Sequence, residues 1–96
     1  MQAQNTEVVD VPEAGHYALR VDGEEAGVSN YRRVGDTVTF THTEVPPELQ
    51  GQGLGGILVR GSLDDVRRRG LRVVPLCPFV EAWIDRHPEY ADLVRA

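Results

Sequence analysis

Four glycines fall within six positions in QGQGLGG, residues 50–56, just before a segment whose apolar residues recur at helical spacing. Glycine weakens helices and strands, so such a cluster needs a reason. A glycine-rich loop that leads into a helix presents unpaired backbone N–H groups and the positive end of the helix dipole to an anion. This stretch could therefore bind a phosphate group. The candidate residues are Gln50, Gly51, Gln52, Gly53, Leu54, Gly55 and Gly56.

Two common phosphate-binding loops do not fit this stretch. A P-loop needs a lysine followed by serine or threonine after its last glycine, and here Ile57 and Leu58 follow. Three of the glycines do match the dinucleotide pattern G-x-G-x-x-G. That pattern also expects an acidic residue at the end of the next strand, where this chain has Leu76 and Cys77.

Two further residues could take part in covalent or proton-transfer chemistry. Cys77 lies between a predicted strand and a predicted helix, and a thiol at a helix N-terminus is favoured as the nucleophilic thiolate. His42 alternates with Val38 and Phe40, so we expect it on their face of the strand together with Glu44. Structural roles remain open for both candidates, since cysteine is also a small buried hydrophobe and histidine can be a hydrogen-bonded residue at the core edge.

The elements that must position these residues are predicted from periodicity and turn signals. Three alternating strands form an antiparallel meander, and a helix then returns the chain to a fourth strand by a right-handed crossover, which makes strands three and four parallel. A short helix and a final helical turn follow. The order is β-β-β-α-β-α, an α+β (mixed α/β) fold. The predicted strands cover 16–23, 26–34, 37–45 and 71–76, and the helices 54–69 and 77–87.

Length and composition predict one domain over residues 1–96, with residues 1–14 as a loosely ordered lead-in. The net charge of −5 argues against nucleic-acid binding. We see no signal peptide and no apolar stretch of membrane-spanning length. The single cysteine excludes an internal disulfide and suits a reducing compartment, so we expect a cytoplasmic protein. The histidines and the cysteine lack metal-ligand spacing, so no structural metal is expected.

The glycine stretch also supports a resemblance. QGQGLG matches Q/R-x-x-G-x-G/A, the pyrophosphate-binding motif of the GCN5-related N-acetyltransferases. With PLCPF and HPEYADLV downstream, residues 16–94 resemble the small, truncated acetyltransferase-like group related to the bacterial YjdJ proteins. That group lacks the last strands and helix of longer acetyltransferases, which build much of the wall around the acceptor.

The resemblance implies a site as well as a fold. Residues 50–56 would hold the pyrophosphate of coenzyme A, and the backbone of Thr43, Glu44 and Val45 would pair with the pantetheine arm like an added strand. The thioester would lie between the third and fourth predicted strands, close to Cys77 and faced by His42. Glu44 would orient His42, act as a base, or remain a solvated charge.

The implied function is an acetyl-CoA-dependent N-acetyltransferase acting on an amine, which could be a small molecule, a polyamine, a protein lysine or a protein N-terminus. The alternative is a CoA- or acyl-CoA-binding module without turnover. The implied partners are acetyl-CoA and the amine, and we expect a monomer or weak homodimer.

Overall fold

The computed structural model describes residues 5–95. Five strands form one sheet in the order β1-β2-β3-β4-β5, and both helices pack into a single core with it. The elements are β1 (Thr6–Val11), β2 (His16–Val21), β3 (Glu24–Val34), β4 (Thr37–Glu44), α1 (Leu54–Arg68), β5 (Arg72–Pro75) and α2 (Pro78–Arg86). Short 3-10 turns cover Pro12–Ala14, Pro47–Leu49 and Pro88–Leu93. None of the helices within residues 5–95 has the length and hydropathy that crossing a bilayer requires.

The predicted α+β order is confirmed for every element after residue 15. Strands β1 to β4 are antiparallel neighbours, and β5 pairs parallel with β4 after the α1 crossover. Helix α1 buries one apolar stripe against the sheet, and Gly70 follows it with a φ of 71°. A left-handed glycine after the last turn is a common way for a helix to end.

The prediction of a loosely ordered lead-in over residues 1–14 is wrong for the segment Thr6–Val11. These residues form β1, which pairs along its whole length with β2. Val8 packs against α1 at Gly61, where an added Cβ would lie 2.6 Å from Val8 Cγ2. Polar residues interrupt the apolar alternation of this strand, so the sequence pattern does not reveal it. The strand is stabilised by pairing with β2 and by the packing of Val8 against Gly61. Residues 1–4 lie outside the described part of the chain.

A bulge in β4 changes which side chains face the core. Asn30 pairs with His42, but its neighbour Tyr31 pairs with Phe40, so Thr41 is an extra residue in β4. An extra residue reverses the alternation of faces beyond it. Phe40 is therefore buried, whereas His42 is exposed and Thr43 turns inward. The prediction that His42 shares the face of Val38 and Phe40 is wrong for this reason.

A cluster of polar groups attaches the C-terminal end of α1 to the sheet, and two of them, Tyr17 and Asp65, are buried. Tyr17 donates a hydrogen bond of 2.6 Å to Asp65, and Arg69 pairs with Asp65 at 3.0 Å and with Asp10 at 3.2 Å. Tyr31 donates to Asp10. Burial, and then the hydrogen bond to Asp65, raise the pKa of Tyr17 well above its usual value.

Candidate active site

The loop between β4 and α1 needs glycine at two positions for backbone reasons. Gly51 has a φ of 87° and Gly53 a φ of 77°, a left-handed conformation that other residues adopt at a cost. No atom lies within 4 Å of where a Cβ would stand at either position. The backbone of this loop is therefore open to whatever lies in front of it.

Helix α1 begins without a side-chain cap. Gly53 occupies the N-cap position, and its carbonyl accepts the first hydrogen bond of the helix, from Ile57 N at 3.2 Å. The N–H groups of Leu54, Gly55 and Gly56 occupy the first turn, where a helix provides no internal partner. No acidic side chain lies in that turn. The helix start is therefore suited to an anion that approaches from the loop side.

The other two glycines in the cluster leave space for side chains that pack against them. A Cβ at Gly55 would lie 2.9 Å from Phe79 Cζ, and one at Gly56 would lie 3.3 Å from Trp83 Nε1. Both aromatic rings belong to α2. Glycine at these positions thus lets α2 approach the start of α1 closely, while Gly51 and Gly53 shape the loop.

A pocket of about 590 Å³ lies in front of this loop and the first turn of α1, and we call it the glycine-loop pocket. Eight of the predicted binding residues line it: Thr43, Val45, Gln50, Gly51, Gly53, Leu54, Gly55 and Gly56. Of the other two, Gln52 is exposed and outside the lining, and Glu44 lines a neighbouring recess. Most of the predicted binding residues thus lie around one pocket, and their role in binding coenzyme A stays a prediction.

Five lining residues were not among the predicted binding residues: Leu49, Phe79, Trp83, Arg86 and His87. Arg86 and His87 add cationic or hydrogen-bonding groups, and none of the described residues that line the pocket is acidic. His87 stacks on Trp83 with ring centroids 3.8 Å apart, and its Nδ1 contacts the Trp83 carbonyl at 2.7 Å. The available signal was the spacing of Phe79, Trp83 and Arg86, which repeats roughly once per helical turn along one side of α2.

The sheet opens beside this pocket. Parallel pairing between β4 and β5 ends at Phe40 and Pro75. Cys77 N then donates to Phe40 O at 2.9 Å, which closes the base of the opening. Beyond that point, no strand formed by residues 5–95 lies beside the β5-facing edge of β4. An extended ligand could pair with this free edge as a further strand does.

Cys77 lies at the base of the opening, at the N-cap position of α2. Its side chain is buried, and its Sγ contacts Thr43 Oγ1 at 3.5 Å. Thr43 also lines the glycine-loop pocket, whereas Cys77 does not. Thr43 therefore contacts both the pocket and the thiol.

His42 lies on the outer face of the sheet, away from the glycine-loop pocket. Its Nε2 is 3.5 Å from Glu44 Oε2, as expected for two residues on one face, and 60% of its side-chain surface is exposed. Glu44 and Glu25 line a second recess of about 570 Å³, which we call the acidic recess. It shares Thr43 with the glycine-loop pocket, so the two cavities meet at the end of β4.

Gln50 links the glycine loop to this same strand end. Its Nε2 donates to Val45 O at 3.0 Å, and Gln50 and Val45 line both cavities. The side chain of this first motif residue therefore stabilises the loop against β4.

Comparisons with known proteins agree with this architecture. Residues 16–93 match the family model described as GCN5-related N-acetyl-transferase. No curated protein matches the chain in a sequence comparison. A solved structure of a GCN5-like protein from Staphylococcus aureus has a TM-score of 0.69 and 22% identity, with 94% of this chain and 88% of that chain covered.

Two longer structures share the fold. The ribosomal-protein-S18-alanine N-acetyltransferase from Escherichia coli has a TM-score of 0.58 and 24% identity, over 77% of this chain and 43% of that one. The ribosomal-protein-alanine N-acetyltransferase from Brucella melitensis has a TM-score of 0.58 and 20% identity, over 84% of this chain and 61% of that one. The chain thus spans less than two thirds of either enzyme. With most of its length matched by the family model, the chain belongs to the GCN5-related N-acetyltransferase family.

Proposed function

We propose that the protein is an acetyl-CoA-dependent N-acetyltransferase that acts on an amine. The observation that carries this proposal is that one pocket joins the uncapped start of α1 to the free edge of β4. A long ligand with phosphates at one end and an extended arm at the other fits such a pocket. Family membership supports the same conclusion.

The pyrophosphate of acetyl-CoA would lie against the glycine loop. Residues 50–56 would surround it, and the N–H groups of the first turn of α1 would donate to its oxygens. Arg86 and His87 supply side-chain donors on the opposite wall. Because no acidic side chain lines the pocket, no charge there opposes the anion.

The pantetheine arm would follow the opening between β4 and β5. Its amides would pair with the backbone of Thr43, Glu44 and Val45. Leu49, Phe79 and Trp83 offer it apolar walls. The thioester would then lie near Thr43 and Cys77.

Transfer requires a neutral amine whose nitrogen attacks the thioester carbonyl carbon while the carbon–sulfur bond breaks. The amine would enter from the acidic recess, where Glu25 and Glu44 favour a cationic acceptor such as a lysine or a polyamine. Glu44 lines this recess and would take the proton from the attacking nitrogen, and the exposed His42, whose Nε2 lies 3.5 Å from Glu44 Oε2, would pass that proton on to solvent. The coenzyme A thiolate would leave with the electron pair of the broken carbon–sulfur bond. Cys77 would either accept the acetyl group transiently as a thioester or shape the end of the pocket.

A second candidate function is a CoA- or acyl-CoA-binding module without turnover. One observation favours it: the Cys77 side chain is buried, and His42 lies on the opposite face from the pocket. Neither residue therefore faces the glycine-loop pocket. Such a module would use the phosphate-binding half of the site alone.

The test is release of free CoA from acetyl-CoA in the presence of a polyamine, a lysine peptide or a peptide with a free N-terminus. Calorimetric titration with acetyl-CoA measures binding separately. Gly53→Asp places a carboxylate at the proposed phosphate site and is expected to weaken binding at least about 100-fold. Gly70→Asp is its matched control, since Gly70 has a φ of 71° and equally open surroundings at the other end of α1.

Binding and CoA release by the natural protein, lost in Gly53→Asp and kept in Gly70→Asp, support the enzyme. Binding without release with any acceptor supports the module. An absence of binding at millimolar acetyl-CoA contradicts both functions, and equal losses in the two glycine variants contradict the phosphate site.

A further inference from the structure

The two edges of the sheet differ in what lies beside them. At the β5 edge, Val94 forms a parallel bridge with Val73, and Arg95 N donates to Val73 O at 2.8 Å. At the other edge, no strand or bridge formed by residues 5–95 lies on the outer side of β1. The C-terminal segment therefore covers one edge of the sheet, and the other presents backbone groups that a further strand can bind.

Alternation along β1 identifies its open backbone groups. Just before the strand, Asn5 O accepts a hydrogen bond from Asp22 N at 2.8 Å, and at its end Val11 O accepts one from Gly15 N at 3.1 Å. Both carbonyls point to the β2 side, and β1 pairs with β2 without a register shift. In an antiparallel pair, every second residue bonds to the same partner strand. The residues between these two whose N–H and C=O groups point away from β2 are therefore Thr6, Val8 and Asp10.

Strand β1 lacks the features by which proteins keep the edges of sheets apart. It contains no proline, glycine or lysine, and half of its six residues are valine. Its inward carboxylate, on Asp10, is already bound by Tyr31 and Arg69, so a further strand would not leave that charge without a partner. A recess of about 410 Å³ between β1 and the exposed side of α1 leaves this flank of the strand open.

We propose that the outer edge of β1 binds the same edge of a second copy of this chain, antiparallel and about a two-fold axis at Val8. The two sheets then continue into one another across the dimer. Thr6, Val8 and Asp10 exchange both of their open hydrogen bonds with the second copy. The dimer lies outside the proposed function and does not depend on it.

Charge and hydrogen bonding select this register. With the axis at Glu7, two carboxylates would face each other across it. With the axis at Val9, Val8 would pair with Asp10, and Thr6 would have no strand residue opposite. With the axis at Val8, that residue pairs with its own copy and Thr6 pairs with Asp10 of the second copy. An axis nearer either end of the strand pairs fewer residues.

The same register makes a second copy the fitting occupant. On the outer face of the sheet, Glu7 lies opposite Val9 of the second copy, so no like charges oppose each other. Every open donor and acceptor of the edge meets its counterpart, because a two-fold axis presents the same set from both sides. The pattern of this one strand therefore complements itself.

The first test is sedimentation equilibrium of the full chain without acetyl-CoA, from micromolar to millimolar protein. The mass is expected to rise from that of one chain towards that of two. Thr6→Pro removes an N–H that β2 does not use, at the first position of a strand, where proline is tolerated. It should weaken dimer formation at least about tenfold, since the hydrogen bond is lost in both copies. Thr6→Ala changes the same side chain but keeps the N–H, and should dimerise like the natural protein.

The second test needs no variant and reads the register directly. Isotope-labelled and unlabelled protein are mixed at millimolar concentration, and nuclear Overhauser effects between the two copies are recorded. Glu7 and Val9 of the second copy form a non-hydrogen-bonded pair in the proposed register, in which the Hα atoms lie close together. A cross-peak between these two Hα atoms is expected. This measurement decides the matter if circular dichroism shows that Thr6→Pro does not fold.

A single-chain mass at millimolar protein overturns the proposal and leaves the edge for a strand of a different protein. A dimer whose contacts between copies lie on another surface overturns it as well, and so does equal dimer formation by a folded Thr6→Pro and by Thr6→Ala. Because no acetyl-CoA is present, none of these outcomes bears on the proposed function.

Discussion

At the N-terminus of α1, backbone N–H groups lack a side-chain cap and glycines surround them. At its C-terminus, Asp65 is buried among groups that bind it: Tyr17, Arg68 and Arg69. Asp10 and Tyr31 extend that polar cluster onto the sheet. One helix therefore has an end with open donors and an end whose polar groups are satisfied.

The difference indicates how a small domain can keep an open binding surface. Unsatisfied donors and left-handed glycines do not contribute stability, so the fold has to be held elsewhere. The cluster at the C-terminal end of α1 attaches the helix to β1, β2 and β3 at a distance from the pocket. Mutations at the two ends should therefore separate stability from binding.

The largest effect is expected for Asp65→Ala. It leaves the buried Tyr17 hydroxyl without its acceptor and removes one partner of the exposed Arg69, and the free energy of unfolding should fall by about 3 kcal/mol. Urea unfolding measures this loss. Asp85→Ala, at an exposed site on α2, is the control and should change the free energy by less than about 0.5 kcal/mol. Similar values for the two variants would show that the cluster does not hold the helix.

His42→Ala should separate chemistry from binding at the other end. We expect the rate of acetyl transfer to fall about 100-fold, because the group that takes the proton onward from Glu44 is lost. The affinity for acetyl-CoA should stay within about twofold, since His42 lies outside the glycine-loop pocket. His16→Ala is the matched control, because it removes the histidine of β2 whose backbone pairs with Asn30 on the side of β3 opposite to His42. An equal rate for His42→Ala and the natural protein would remove His42 from the mechanism.

Alkaline pH should weaken the C-terminal cluster. Tyr17 has a raised pKa in the folded protein, so above about pH 10 the unfolded chain loses this proton while the folded protein keeps it. The stabilisation is complete below that pH and declines above it, by about 1.4 kcal/mol per pH unit for one such tyrosine. Unfolding by urea at stepwise higher pH measures the slope. Tyr17→Phe should reduce the slope by about this amount and leave the contributions of Tyr31 and Tyr90, whose pKa values are also raised by burial and by hydrogen bonds to carboxylates. An unchanged slope in that variant would assign the whole slope to other groups.

The smallest effect is expected for Arg86→Ala. Its guanidinium is exposed at the rim of the glycine-loop pocket, and its loss should weaken acetyl-CoA binding about tenfold. Binding of pantetheine, which has no pyrophosphate, should not change. Arg32→Ala, on β3 and outside this pocket, serves as the control. Equal affinities for Arg86→Ala and Arg32→Ala would place the phosphates away from α2.

The strands and helices after residue 15 are predicted well from sequence, because their alternation, prolines and glycines act locally. Strand β1 is not, because Glu7 and Asp10 interrupt its apolar pattern and its stability comes from β2 and α1. The glycine loop is predicted because a glycine cluster directly before a helix is a signal that can be read from the local sequence alone. The catalytic roles of Cys77 and His42 stay predictions.

The orientation of β4 illustrates why the rest of the site was missed. Simple alternation along β4 predicts that His42 points inward. The bulge at Thr41 changes this, and it depends on pairing with β3, where the contacting residue Asn30 lies 11 residues earlier in the sequence. Arg86 and His87 reach the pocket only because Gly55 and Gly56 let α2 approach α1. Both features depend on tertiary contacts: the spacing of Phe79, Trp83 and Arg86 indicates a shared side of α2, but not which cavity that side lines.

The proposed acetyl-CoA site consists of the N-terminal end of α1 and the free edge of β4. The most direct measurement is a backbone amide chemical-shift titration of the isotope-labelled protein with acetyl-CoA. If acetyl-CoA binds at this site, the largest shifts will be at Gly51, Gly53 and the first turn of α1, with further shifts at Thr43 and little change at Arg69. Shifts centred on the C-terminal end of α1, or no shifts at millimolar ligand, would contradict it.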